Sequence, residues 1–189
     1  MNKYYISRRN LLRRLALLAG LVYPKSLKPS GYQEDLCEDE LNNLYLRLLK
    51  REMSEKASLF KRIINNYGIE VLAIIRENTI SQAAEKLLSV EITDRNLDAI
   101  MDNLWGHTEL THEYNIENHT DGLLKLRITR CLFAEEMRKL NASEIGDAFY
   151  CAYDYGYCMG LNSKIKFTRS KTLMLGHDYC DHTYELAFI

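Results

Sequence analysis

The stretch LMLGHDYCDHTYEL, near the end of the chain, holds two histidines, two aspartates and a cysteine. Side chains of these types can attack an electrophilic carbon or move a proton. In a β-strand, alternation places Cys180, His182 and Tyr184 on one face and Asp181 on the other. Because Tyr184 is a large apolar side chain, we expect this face to point inward. The pattern therefore predicts a thiol and an imidazole directed into the domain.

A second set of reactive side chains is predicted on a helix over residues 144–159. Asp147, Cys151, Asp154 and Cys158 recur at i, i+4, i+7 and i+11, so a regular helix places them on one face. An apolar stripe lies roughly 130° away on the same helix. Its members are Ile145, Ala148, Phe149, Ala152, Gly156 and Met159. Either the helix is buried on two sides, with the thiols acting as small hydrophobes, or thiols and carboxylates face a pocket.

The remaining candidates lie near strand ends. Cys131 closes a predicted strand and directly precedes a predicted helix, whose amide groups and dipole favour a thiolate. The alternative is a cysteine that fills the corner between strand and helix. Glu117 and His119 share a strand face beside an Asp-Gly turn, and a solvated face is the better interpretation for that pair. Cys37 and Cys158 are expected to be structural.

Composition excludes several classes of protein. The chain has 189 residues, 47% of them hydrophobic, which suits one domain with a real core. A net charge of −1, with no basic stripe outside the extreme N-terminus, gives no support for nucleic acid as the main partner. Five cysteines, an odd number without a C-x-x-C pair, indicate neither a disulfide framework nor a zinc ribbon. The H-E-x-x-H, G-x-S-x-G and P-loop motifs are absent from the sequence.

Residues 1–31 are predicted to form a leader or basic arm followed by a linker. Ser7–Arg13 resembles a twin-arginine export signal, which would send the protein to a bacterial periplasm. The apolar run Leu15–Val22 fits a short signal and is too short to span a bilayer stably. The alternative is a basic amphipathic arm on a cytoplasmic protein. Pro24–Gly31 is the expected linker, and residues 32–189 are the expected single domain.

Hydrophobic periodicity and turn residues predict an α+β domain. The expected structure is an antiparallel sheet of about four strands covered by helices, with a helical N-terminal half. The first predicted elements are three helices, over 36–67 (stopped by Gly68), over 69–89 and from a Thr93-Asp94 cap to about 105. Two strands joined at His119–Gly122 follow, and then two helices, over 132–140 and from 141–144 to 159. The last elements are strands over 164–174 and 179–187, which turn at Gly176–Asp178.

The C-terminal half resembles the L-2-amino-thiazoline-4-carboxylic acid (ATC) hydrolase family. The motifs ITRCLFAEEM, FYCAYDYGY and FTRSKTLMLGHDYCDHTYEL follow one another within about residues 107–187. The family carries an R-C pair after a strand, a C-x-x-D on a helix and a closing T-K-T-L-x-x-G-D-x-x-C-D-F-x-F. The residues to which the resemblance points are Arg130, Cys131, Cys151, Asp154, Thr172, Gly176, Cys180 and Asp181. The sequence departs from the family at His177, usually acidic or amide, and at His182, usually aromatic.

The resemblance implies hydrolysis of a non-peptide C–N bond in a small cyclic amidine or thiazoline. The predicted catalytic residues are Cys151, Asp154, Cys180 and His182, and the predicted substrate-binding residues are Arg130, Cys131, His177 and Asp181. Cys151 or Cys180 would attack the C=N carbon, while Asp154 or His182 would transfer the proton.

Two alternatives to this mechanism stay open. No cofactor is predicted, but Cys and His could instead hold a Zn²⁺ that activates water, although no ligand pair has metal-site spacing. The other alternative is a non-catalytic domain whose Cys and His line a ligand pocket. The only predicted partner is a small molecule, and nothing in the sequence specifies an oligomeric state.

Overall fold

A computed structural model describes residues 38–187 of the chain. The chain divides into two compact units, residues 1–52 and 53–189. Helix α1 (Glu38–Tyr67) begins in the first unit and continues into the second. The predicted leader, its linker and Cys37 lie outside the described residues. Among the described residues, no helix has the length and apolar character needed to cross a membrane.

The first helices confirm the periodicity of the sequence. Helix α1 ends at Gly68, whose φ of +92° suits a residue without a side chain. Helix α2 (Val71–Leu88) follows. The predicted Thr93-Asp94 cap of the third helix is wrong. Helix α3 (Leu97–Ile100) is capped by Asn96, whose side chain accepts a hydrogen bond from the Ala99 amide at 3.1 Å.

Arg95 explains why α3 begins so late. Its guanidinium donates to the carbonyl groups of Gly160 at 2.8 Å and Val90 at 2.9 Å, so the segment before α3 is held in a connection. After Ile100 the helix widens into a π-helical turn, Met101–Trp105. The turn ends with Trp105 buried.

The sheet is antiparallel and has four strands in the order β1-β2-β4-β3. The strands are β1 (His112–Thr120), β2 (Leu123–Cys131), β3 (Ile165–Thr168) and β4 (Cys180–Leu186). The predicted hairpin with Asp121-Gly122 at its turn joins β1 to β2, and helix α4 (Leu132–Lys139) follows as predicted. The predicted α+β class and helix-covered sheet are confirmed.

The second predicted hairpin is only partly correct. Strand β3 pairs with β4, but it ends at Thr168, and Leu173–Leu175 form a 3-10 turn rather than a strand. The reason is Asp181, whose carboxylate accepts hydrogen bonds from the backbone amides of Ser170 and Lys171. These bonds hold the chain in a loop instead of a ladder. Strand β4 itself alternates as predicted, with Cys180, His182 and Tyr184 buried.

The predicted regular helix up to Met159 is wrong in its middle. The chain forms α5 (Ser143–Gly146), a π-helical turn (Asp147–Cys151) and α6 (Tyr153–Leu161). A π-helical turn adds one residue and rotates everything after it around the helix axis. Met159, expected inside, is 60% exposed, whereas Cys158 is buried.

Two glycines bring α6 against α2. A Cβ atom on Gly156 would meet the carbonyl oxygen of Ile80, and one on Gly160 would meet that of Ala84. Both glycines are buried, and the helix backbones approach each other directly. This contact fixes the position of α6 and therefore of the carboxylate of Asp154.

Candidate functional site

A buried arginine joins the elements that carry the predicted catalytic residues. Arg169 follows β3 and is only 5% exposed. Its Nη1 donates to Asp154 Oδ2 at 2.9 Å and lies 3.4 Å from His182 Nε2, and its Nη2 donates to the Cys151 carbonyl oxygen at 3.3 Å. We call Arg169, Asp154, His182 and Cys151 the arginine cluster.

Charges balance around the arginine cluster. Burial raises the pKa of Asp154 to about 6, although the Arg169 guanidinium opposes the shift. A second carboxylate, Asp147, lies 3.8 Å from Arg169 Nη2 and pairs with Arg76 at 2.6 Å. Two guanidinium groups therefore face two carboxyl groups.

The imidazole of His182 is neutral and engaged on both sides. Burial, and after it the charge of Arg169, lowers the pKa of His182 well below its usual value. Its Nδ1 lies 3.1 Å from the Tyr184 hydroxyl, which accepts a hydrogen bond from Trp105 Nε1. Because a guanidinium can only donate, Nε2 must accept from Arg169, and Nδ1 carries the proton. This arrangement suits a positioning residue better than a free base.

Two of the predicted thiols meet at one threonine. Cys151 Sγ and Cys180 Sγ each lie 3.8 Å from Thr172 Oγ1. Cys180 also accepts the Leu173 amide at 3.2 Å. Burial raises the pKa of both thiols. The π-helical turn, the loop after β3 and strand β4 thus bring these thiols beside the arginine cluster, while their roles stay predictions.

The predicted substrate-binding residues do not all point to this place. The Arg130 guanidinium is 37% exposed and pairs with Glu135 at 3.0 Å and Glu113 at 3.8 Å. The His177 side chain is exposed, and its Nδ1 lies 3.2 Å from the Thr172 carbonyl oxygen. Asp181 lies on the opposite face of β4, as predicted, where it holds the loop that follows Arg169.

The pKa of Cys131 is not lowered, although the cysteine precedes the N-terminus of helix α4. Burial raises its pKa to about 12, and the amides of Ala134 and Phe133 lower it too little to compensate. Burial thus favours the neutral thiol in the free site, and the role of Cys131 stays a prediction. Its Sγ lies 3.4 Å from His112 Nε2.

Aromatic rings connect this thiol to the arginine cluster. The Trp105 ring centroid lies 5.5 Å from that of His112 and 5.3 Å from that of His182. On its other side His112 faces Phe133, which faces Tyr150 in turn. Both imidazoles thus flank one indole, which places the Cys131–His112 pair next to the arginine cluster.

The sequence model of the L-2-amino-thiazoline-4-carboxylic acid hydrolase family matches residues 40–184. The chain belongs to this family. None of the curated proteins compared with the chain matches it. The family name suggests a hydrolase that acts on a thiazoline carboxylate.

Metal chemistry in this ATC hydrolase family member stays an untested alternative. Across residues 38–187, no group of three or more His, Cys, Asp or Glu side chains is arranged to hold a metal ion. Within the arginine cluster, Asp154 Oδ2 lies 4.0 Å from His182 Nε2, and Arg169 lies against both of those residues. A cation at that position would meet a guanidinium.

Two residues of the candidate site were missed in the sequence. Arg169 shares strand parity with Ile165 and Phe167, both buried, so alternation alone could have placed it inward. His112 gave a weaker signal, because it lies at the first position of β1 and only the pairing of the hairpin brings it to Cys131.

Proposed function

We propose that this ATC hydrolase family member hydrolyses a non-peptide C–N bond in a small cyclic amidine, such as a thiazoline carboxylate. The observation that carries the proposal is the buried ion pair of Arg169 and Asp154, bordered by thiols and a neutral imidazole. Burying charges is costly, and a site that does so beside nucleophilic groups is typical of catalysis.

The arrangement supplies the parts that such hydrolysis needs. An amidine carbon is electrophilic, and a cysteine thiol can add to it. Asp154, with a pKa of about 6, exchanges protons near neutral pH. Arg169 keeps that carboxyl in place and brings a positive charge that favours a substrate carboxylate. Cys151 and Cys180 are the nucleophiles predicted from the sequence.

A second candidate is a non-catalytic ligand-binding domain. It is favoured by one observation, that burial raises the pKa of Cys131, Cys151 and Cys180, so none of these thiols is ionised in the free site. A binding site needs no ionised thiol, whereas a hydrolase must remove the thiol proton during the reaction.

The two candidates are separated by turnover. The protein is incubated with a panel of cyclic amidines and thiazolines, with and without chelator, and ring-opened products are followed by mass spectrometry. We expect turnover that survives the chelator and is lost in Asp154→Asn. Cys158→Ala is the matched control, because this thiol is buried on the same helix and is expected to be structural. Binding of panel members without turnover would favour the ligand-binding domain, and loss of turnover with chelator would favour zinc.

A further inference from the structure

The thiol with an imidazole partner is Cys131, at the end of the first hairpin. His112 and Cys131 face each other across β1 and β2, and Cys131 Sγ lies 3.4 Å from His112 Nε2. The register shifts twice between these strands, once leaving Glu117 unpaired and once leaving Thr129 unpaired. Because one extra residue lies on each strand, the shifts compensate, and the outermost residues pair again.

The second shift decides which side chain enters the site. Leu124, Leu126 and Ile128 alternate as the buried face of β2. Continued alternation would put Arg130 inward, but the unpaired Thr129 reverses the parity. Cys131 therefore faces the imidazole, and Arg130 turns to Glu135 on the surface.

The protonation of His112 follows from its neighbour. The Thr111 hydroxyl donates to the Thr108 carbonyl oxygen at 3.1 Å and lies 3.0 Å from His112 Nδ1. Since its own proton is used, this hydroxyl accepts the proton on Nδ1. The lone pair of Nε2 is then directed at the thiol. Thr111 is itself tied to the start of α4, because its carbonyl oxygen accepts the Leu132 amide at 2.8 Å.

We propose that Cys131 is the nucleophile of the hydrolase, that His112 is its general base and that Thr111 holds the imidazole in position. This inference rests on the proposed function and goes beyond it by naming the attacking atom. The arrangement of nucleophile, base and orienting group is the one that activates a weak nucleophile. Cys131 and His112 are both half-buried rather than fully enclosed.

The other thiols lack this arrangement. Cys151 and Cys180 each contact the Thr172 hydroxyl, and Cys180 is 7% exposed. The second imidazole, His182, accepts from Arg169 instead. Within residues 38–187, Cys131 is the thiol that lies against an imidazole lone pair.

The charge states fit proton removal during attack rather than a preformed ion pair. Burial, with a contribution from the charge of Arg130, lowers the pKa of His112 to about 4, so the imidazole is neutral near pH 7 and its Nε2 lone pair lies 3.4 Å from Cys131 Sγ. The Cys131 thiol keeps its proton until attack, because its pKa is about 12. The pKa of His112 is coupled to the charges of Arg130 and His182. The pKa of Cys131 is coupled to those of Cys151, Asp154 and Cys180.

The reaction balances with water as the only co-reactant. The thiol proton passes to His112 Nε2 while an Sγ–C bond forms at the carbon of a protonated cyclic amidine. The C=N electron pair moves onto nitrogen and gives a neutral tetrahedral adduct. His112 returns the proton to the ring nitrogen, which leaves with the electron pair of its C–N bond and opens the ring, so a protonated thioimidate remains on Cys131.

Water then adds to the thioimidate carbon and gives a proton to His112. The sulfur leaves with the electron pair of the C–S bond and takes that proton back. The new carbonyl group releases the remaining proton to solvent. The product is an opened ring that carries a carbonyl group in place of the C=N bond.

The test combines labelling with turnover, so that the two proposals can fail separately. Iodoacetamide labelling at pH 7, read by peptide mapping, reports the reactivity of each cysteine without any substrate. We expect Cys131 to react before Cys151, Cys158 and Cys180 in the wild type, and its rate to fall at least tenfold in His112→Ala. Cys131 labelling that is unchanged in His112→Ala, or prior labelling of Cys151 or Cys180, would overturn the inference.

Turnover supplies the second readout. We expect kcat to fall about 10²-fold or more in Cys131→Ser and His112→Ala. Thr111→Val should lower kcat with little change in KM, and Thr111→Ser should restore it, because serine keeps the accepting hydroxyl. Retained turnover in Cys131→Ser would refute the nucleophile. Circular dichroism checks the fold, and where His112→Ala does not fold, labelling of the milder Thr111→Val decides. If no panel compound turns over, the proposed function fails while labelling still tests the pair.

Discussion

Arg169 and Asp154 form a buried ion pair, with 2.9 Å between Nη1 and Oδ2 and side chains that are 5% and 15% exposed. Each charge offsets the desolvation cost of the other, and the pair joins the loop after β3 to helix α6. Loss of one partner therefore leaves a buried charge without compensation.

Arg169→Met is expected to lower the free energy of unfolding by about 3–5 kcal/mol, because it isolates the Asp154 carboxylate. Urea denaturation measures the loss. Arg130→Met is the matched control, because its guanidinium is 37% exposed and its ion pairs should contribute about 1 kcal/mol or less. The double variant Arg169→Met/Asp154→Leu should recover part of the loss. Equal effects of Arg169→Met and Arg130→Met would contradict this account.

Asp154→Asn is expected to change how stability depends on pH. Burial raises the carboxyl pKa from 3.8 to about 6, so the folded state binds the proton more tightly than the unfolded state. The stability that the protonated group contributes is present below pH 3.8 and is lost as the pH rises through about 6. The wild-type free energy of unfolding, relative to Asp154→Asn, should fall by about 3 kcal/mol across that window. A difference that stays flat or grows with pH would show that the pKa is not raised.

His182→Phe is expected to keep the fold, since the ring is 4% exposed and packs edge-on against Trp105 and Phe167. The cost should be about 1.5 kcal/mol or less. Because Arg169 occupies Nε2, we expect turnover to be retained with a changed substrate preference. Competition between panel compounds measures that preference. Loss of turnover in a folded variant would assign the ring a direct proton-transfer role, and unchanged preference would leave a purely structural histidine.

Gly156→Ala is expected to lower the free energy of unfolding by about 1–3 kcal/mol, because the added methyl group would meet the Ile80 carbonyl oxygen. The helix must shift away from α2, and Asp154 must shift with it. Met159→Ala on the same helix is the control, because that side chain is 60% exposed and its loss should change stability by about 0.5 kcal/mol at most. Thermal melts of both variants measure the two changes in stability. A neutral Gly156→Ala would show that α6 can move without cost.

Two buried tyrosines should respond oppositely to loss of the hydroxyl. The Tyr157 hydroxyl has no hydrogen-bond partner among residues 38–187, so Tyr157→Phe should leave the melting temperature unchanged or raise it. The Tyr184 hydroxyl accepts from Trp105 Nε1 at 3.1 Å and lies 3.1 Å from His182 Nδ1. Tyr184→Phe should cost about 1–3 kcal/mol. A larger loss in Tyr157→Phe than in Tyr184→Phe would indicate a partner for the first hydroxyl.

Local patterns were sufficient for much of the fold. Gly68 ends α1 because glycine accepts a backbone angle that other residues avoid. Asp121-Gly122 lies at the turn of the first hairpin, as this dipeptide predicts. Alternation placed Cys180 and His182 inward for the same local reason. The same rule, extended along β3, would also have found Arg169.

Elements that depend on distant partners were predicted incorrectly. The loop before Thr172 forms because the distant Asp181 carboxylate accepts hydrogen bonds from the backbone amides of Ser170 and Lys171. The π-helical turn inserts a residue that no periodicity signals, with the Ala152 amide bonded to the Asp147 carbonyl oxygen at 2.9 Å. Met159 was therefore placed on the wrong side of its helix.

The sequence alone determined the reactive side chains, the hairpin that carries Cys131, the inward face of β4 and the resemblance to the ATC hydrolase family. These depend on residue types and short-range geometry. Only the tertiary structure decided that His112, rather than His182, lies against a thiol, because two compensating register shifts and the burial of Arg169 set those contacts. It also decided the charge states, since burial raises the pKa of Cys131 against the helix terminus that the sequence showed.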